Sequence, residues 1–177
     1  HGEDKESLIR NADTAMYTAK ESGRGRFSVF KPEMNLRVFE YLWLDTNLRK
    51  ALQCDQLVIY YQPKVSLDGE VRSLEALVRW NSPERGLIPP MDFIAYAEES
   101  GLIVPLGRWV MLDAIRQVAQ WRDRGIHLRV AVNVSARQLV DYSIFSDLKQ
   151  ALRAQGFEQC PIDIELTESC LIDNAEQ

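Results

Sequence analysis

The sequence predicts an α/β fold with parallel strands and covering helices, arranged either as a β/α barrel or as an open doubly wound sheet. Three observations carry this. From Leu57 onward the order reads strand, strand, helices, strand, helix, strand. The first two strands are separated by the turn Asp68-Gly69, which predicts an antiparallel entry into the sheet. The strands after that entry each oppose an aliphatic face to one bearing polar side chains.

Taken in order, Leu8, Ala12, Ala15, Met16 and Ala19 recur at helical spacing between about Asp4 and Ser22, and Gly23 follows as a stop signal. Phe27-Ser28-Val29-Phe30 is expected to form a short strand. One helix and one strand do not close a core, so this opening piece is expected to be the tail of a larger domain. Pro32 suits a first helical turn, and Met34, Val38, Leu42, Leu48 and Leu52 mark a second helix to about Gln53. The heptad pattern breaks at Asp45, which favours a connector helix over a coiled-coil dimer.

Leu57 to Val65 is the entry strand and Ser73 to Trp80 its partner. Ser82 to Pro90 is expected as a loop. A short helix then begins near Phe93 and stops at Gly101, followed by a longer one with Leu106, Trp109, Leu112, Ile115, Val118 and Ala119 on its buried side. Leu128 to Val134 reads as a strand, Phe145, Leu148 and Leu152 as a helix ending at Gly156, and Pro161 to Glu168 as a last strand.

Composition narrows the function classes. A net charge of -5 argues against a duplex-binding protein, which carries a basic footprint, but leaves room for a small phosphate-bearing ligand. No apolar run reaches the eighteen or so residues of a membrane helix, so no membrane contact is expected within this segment. Cys54, Cys160 and Cys170 are odd in number and form no C-x-x-C pair, which fits a reducing cytoplasm and excludes a zinc knuckle. His1 and His127 stand alone, so a metal here would take oxygen ligands.

The second strand carries the chemistry. Leu74, Ala76, Val78 and Trp80 alternate with Glu75, Leu77 and Arg79, and burying two charges is costly unless they are paired, solvated or held by a metal or ligand. An ion pair is the simplest solution. Glu75, Asn133 and Glu165, however, come from three successive parallel strands and all lie opposite the aliphatic face. Two carboxylates and a carboxamide form a hard-oxygen set suited to Mg²⁺ or Mn²⁺. Arg79 shares the face of Glu75, where its fork can take a phosphate, and Gln62 has matching parity on the entry strand.

The motifs Tyr61-Gln62-Pro63-Lys64-Val65, Glu75-Ala76-Leu77-Val78-Arg79-Trp80, Phe93-Ile94 through Ala97-Glu98-Glu99-Ser100-Gly101, Asn133-Val134-Ser135 and Glu165-Leu166-Thr167-Glu168-Ser169 follow in this order. Together they resemble the EAL family of bacterial cyclic-di-GMP phosphodiesterases. Ala12-Asp13-Thr14-Ala15-Met16-Tyr17-Thr18-Ala19-Lys20 with Gly23-Arg24 resembles the closing helix of a GGDEF (diguanylate cyclase-like) domain. The implied organisation is a GGDEF remnant over 1–31, a linker helix over 32–54 and the N-terminal half of an EAL domain over 55–177.

This resemblance implies a TIM-like barrel whose first strand is antiparallel, with Glu75, Asn133 and Glu165 as ligands to Mg²⁺ or Mn²⁺. It implies Arg79 on a substrate phosphate, Gln62 near the bound nucleotide, and Glu168 steadying a neighbouring active-site loop. The implied reaction is metal-assisted hydrolysis of one phosphodiester of cyclic-di-GMP, giving the linear dinucleotide.

The family pattern also has two adjacent aspartates on the next strand and a later lysine and glutamate. The chain reaches Gln177 without them, and Asp173-Asn174 is not that pair. A full barrel needs about 250 residues. The segment alone is therefore expected to be weakly active or inactive, and a homodimer or segment exchange through an unpaired strand edge is expected. The signature loop of a cyclase is missing, so no cyclase activity is implied. The competing readings are an inert EAL-like module that binds cyclic-di-GMP or a protein partner, and a scaffold whose polar strand ends satisfy one another.

Overall fold

The computed structural model describes residues 4–21, 25, 27–140 and 143–166. The chain forms two compact units, His1–Asn47 and Leu48–Gln177.

In the first unit, helix α1 (Lys5–Glu21) starts where expected. The Asp4 carboxylate accepts the Ser7 N–H at 2.7 Å, satisfying one of the helix's orphan donors. Helix α2 (Pro32–Ala51) begins with its proline at the first helical position, where the missing N–H costs nothing. Leu42 departs from the expected buried stripe and is 61% exposed. The expected strand at Phe27–Phe30 does not form. These residues instead line a groove with Leu8, Ala12, Ala15 and Ala19 of α1, and among the described residues no strand lies beside them to complete a ladder.

The second unit is built on a five-stranded mixed sheet. Strands β1 (Leu57–Val65) and β2 (Val71–Ser82) pair antiparallel, as the hairpin signal predicted. Gly69 closes their connection at φ +85°, a left-handed conformation that glycine adopts without a Cβ penalty. The predicted loop after β2 contains a short strand, β3 (Gly86–Ile88), folded back onto Trp80–Ser82, and a 3-10 turn at Pro90–Asp92. Three residues are too few for periodicity to reveal. Helices α3 (Ile94–Ser100) and α4 (Ile103–Arg122) follow. Strand β4 (Arg129–Val134) then joins β2 in parallel, and β5 (Ile162–Leu166) joins β4 in parallel. Between them lie α5 (Ala136–Val140) and α6 (Ser143–Ala154).

Alternation decides which side of the sheet is covered. Leu74, Ala76, Val130, Val132, Val134 and Ile162 form one core cluster with Val110, Met111, Ala114, Ile115 and Val118 of α4 and Ile144 and Leu148 of α6. Trp80 and Phe93 are fully buried and meet edge to face at 5.9 Å, tying the 3-10 turn to β2. Each such side chain stabilises the fold by roughly 1.5–3 kcal/mol through burial alone. The Trp80 indole N–H is satisfied by Gln56 Oε1 at 3.2 Å. With α4 and α6 on the aliphatic face, the polar face of β1, β2, β4 and β5 is left for the site.

Candidate active site

Register brings the predicted residues onto one face. Gln62 lies directly opposite Glu75 on the β1–β2 ladder, and Asn133 directly opposite Glu165 on the β4–β5 ladder. Glu75 is level with Ala131, so Asn133 stands one side-chain step further along than Glu75. That diagonal offset is closed by a hydrogen bond: Asn133 Nδ2 donates to Glu75 Oε1 at 2.7 Å. The three oxygen-bearing residues thus form a contiguous set across three parallel strands. Glu168 lies outside the described residues.

Arg79 does not pair with Glu75. Its guanidinium donates to the Val78 carbonyl at 2.8 Å and stands 5.6 Å from the centre of the Tyr60 ring, on the same sheet face. The half-buried guanidinium is kept on the polar face by an aromatic platform. Its fork geometry suits bidentate recognition of a phosphate.

Sequence reasoning missed two neighbours. Lys64 shares the site face of β1 and donates from Nζ to Glu165 Oε1. The Arg129 guanidinium forks onto Asp163, with Nε to Oδ2 at 3.0 Å, one step below Glu165 on β5. Hydrogen bonds from Arg129 hold the Asp163 carboxyl below the usual carboxylate range, partly opposed by desolvation, and the Lys64 charge pulls the same way. The parity of Lys64 with Gln62, and of Asp163 with Glu165, was the available signal. Which partner each would choose depends on strand order.

The donor set has the hard-oxygen character of a Mg²⁺ or Mn²⁺ site: two carboxylates and a carboxamide, with Glu75 and Asn133 already in contact. Among the described residues no group of three or more His, Cys, Asp or Glu is gathered to hold a metal ion. For an ion to bind here the Asn133 carboxamide would present its oxygen in place of the Nδ2 now bonded to Glu75, and Glu165 would release Lys64 if both its oxygens were to ligate. The donor types fit, and the described set supplies part of a coordination sphere that favours six or more oxygens.

A model of the EAL domain family matches residues 45–177. The chain belongs to the EAL domain family. It is 76% identical over 176 residues to the cyclic di-GMP phosphodiesterase PdeR of Escherichia coli K12, covering 99% of this chain and 27% of that protein. It is 40% identical over 177 residues to the bifunctional diguanylate cyclase/cyclic di-GMP phosphodiesterase MucR of Pseudomonas aeruginosa, covering 99% of this chain and 26% of that protein. The chain therefore spans about a quarter of the length of these curated relatives. A solved structure of the PaMucR phosphodiesterase in complex with c-di-GMP superimposes with a TM-score of 0.69 at 40% identity, covering 75% of this chain and 55% of that one. The EAL-type α/β fold with its mixed sheet agrees with that likeness.

Proposed function

We propose that this chain forms part of a cyclic-di-GMP phosphodiesterase that hydrolyses one phosphodiester of the cyclic dinucleotide to the linear product. The observation that carries the reading is the contiguous Glu75, Asn133 and Glu165 set on one sheet face, with Arg79 on the same face. The relatives' named activity supports it.

In this reading Glu75, Asn133 and Glu165 hold Mg²⁺ or Mn²⁺. The ion supplies Lewis acidity to the phosphoryl oxygens and to the attacking water. Arg79 orients a phosphate through its fork, Gln62 offers a carboxamide to the nucleotide from across the ladder, and Glu168 steadies a loop beside the site. Leu77, on the site face between Glu75 and Arg79, adds an apolar contact that helps exclude bulk water.

We assign residues 1–31 to the tail of a GGDEF domain, 32–54 to a linker helix and 55–177 to the N-terminal half of an EAL barrel. The helical spacing of α1 with its Ala12–Lys20 motif supports the first of these. β5 has a single strand neighbour among the described residues, and Ile164 is 39% exposed, which supports self-association along that edge. No described helix is long and apolar enough to cross a membrane, and exposed free Cys54 and Cys160 suit a cytoplasmic setting.

The test is turnover by the full-length protein in Mg²⁺ or Mn²⁺, read as conversion of cyclic-di-GMP to the linear dinucleotide. Glu75→Ala should reduce it to background. Tight cyclic-di-GMP binding without turnover in the wild type would identify an inert binding module instead, and turnover surviving Glu75→Ala would remove Glu75 from the reaction.

A further inference from the structure

Gln138 lies outside the motifs that define the site, yet its side chain is 2% exposed. Its Oε1 accepts the Ser135 N–H at 2.9 Å, while its own backbone N–H donates to the Ser135 carbonyl at 3.1 Å. Ser135 and Gln138 thereby form half of a capping box at the start of α5, the glutamine reaching back as the third helical residue. A helix of five residues cannot hold its own geometry, so the brace must come from elsewhere.

It comes from α4. A Cβ at Gly107 would fall 1.5 Å from Gln138 Nε2, so the carboxamide occupies space that any residue other than glycine would fill. The seating matters because Val134 and Ser135 are themselves buried where β4 leaves the sheet, so a shift of the turn carries the strand end with it. A cavity of about 130 Å³ opens among Leu77, Gly107, Val110, Asn133 and Ser135. Among the described residues Ser135 Oγ and Gln138 Nε2 are buried without a hydrogen-bond partner. On the α4 side the turn therefore rests on the Oε1 bond and the Gly107 seat, while on the α3 side the Arg137 guanidinium donates to the Glu98 and Glu99 carbonyls. The turn begins two residues after Asn133, whose side chain must span a diagonal to reach Glu75.

We propose that Gln138 is a positioning residue: seated on Gly107, its carboxamide fixes the exit of β4 and so sets the reach of Asn133 toward Glu75 and the divalent ion. The inference rests on the metal-site reading above. Loss of an outer residue of this kind typically weakens metal affinity by about 10–100-fold.

The experiment compares wild type, Gln138→Met, Gln138→Glu and Gly107→Ala in the full-length protein, each shown to be folded by its near-UV circular dichroism. Calorimetry gives the Mn²⁺ dissociation constant, and NMR follows the Asn133 side-chain amide. Gln138→Met keeps the volume but removes the acceptor, and should weaken Mn²⁺ binding about tenfold and shift the Asn133 resonance. Gln138→Glu, which retains an oxygen acceptor for Ser135 N–H, should recover most of the affinity. Gly107→Ala should mimic Gln138→Met if it folds; if it does not, the two Gln138 variants decide. Folded variants with wild-type Mn²⁺ affinity and an unmoved Asn133 resonance would overturn the proposal. A wild type that binds no Mn²⁺ would overturn the metal reading instead, and the Asn133 resonance in Gln138→Met would still decide whether the turn is held by Gln138.

Discussion

Lys64 and Glu165 show how a single partner alters what a carboxylate can do. Parity makes Glu165 an oxygen donor for a cation, and the fold gives it an ammonium. The Lys64 and Glu165 side chains are 35% and 42% exposed, so the pair is worth at most about 1 kcal/mol after screening. A divalent ion must displace that ammonium to use both oxygens. Lys64→Met in the full-length protein should therefore tighten Mn²⁺ binding by roughly threefold to fivefold, since 1.36 kcal/mol corresponds to about a factor of ten. Calorimetric titration checks this, and weaker binding would mean that Lys64 supports the site rather than competing for it. At this scale the sequence was informative about residue type and face: Glu75, Asn133 and Glu165 stand on the predicted side of the sheet because side-chain direction follows from strand geometry. It was silent on Lys64, because nothing within its own strand distinguishes a free lysine from a paired one.

Long, periodic elements were legible and short ones were not. α4 buries Leu106, Ile115, Val118 and Ala119 as its spacing announced, with Trp109 and Leu112 only half-buried and Val110, Met111 and Ala114 in the core instead. By contrast, β3 and α5 are three and five residues long and carry no period to read. Phe27–Phe30 illustrates the opposite error. Its alternation suits a strand, but a strand also needs a neighbour, and these residues lie against α1 instead. The 3-10 turn after β3 depends on tertiary packing, with Phe93 fixed edge to face on Trp80. Phe93→Ala should cost about 3–5 kcal/mol, the range for emptying a fully buried aromatic site. Urea denaturation measures this, and a loss under 1 kcal/mol would show that the contact does not anchor the turn.

For the whole molecule the governing quantity is how much of a site the chain contains. Among the described residues, two carboxylates and one carboxamide are a sparse environment for a hard divalent cation, which prefers six or more oxygens. The 177-residue chain by itself should therefore show little or no hydrolysis of cyclic-di-GMP in Mg²⁺ or Mn²⁺, and the proposed function expects turnover from the full-length protein. Chromatographic separation of cyclic and linear dinucleotide distinguishes the two. Turnover by the isolated chain that disappears in Glu75→Ala would show that the described residues suffice.

The sequence by itself determined the mixed entry and parallel continuation of the sheet, the covered face, and the sharing of one face by Gln62, Glu75, Arg79, Asn133 and Glu165. Those follow from local geometry, because a period of two or of 3.6 assigns every side chain a direction before any packing occurs. Only the tertiary structure decided that Asn133 bonds Glu75 across 58 residues of chain and that Lys64 meets Glu165 across 101. It alone seated Gln138 on Gly107. Such contacts depend on strand order, ladder offset and helix approach, which are set by how the elements pack together and leave no trace in the spacing along any one of them.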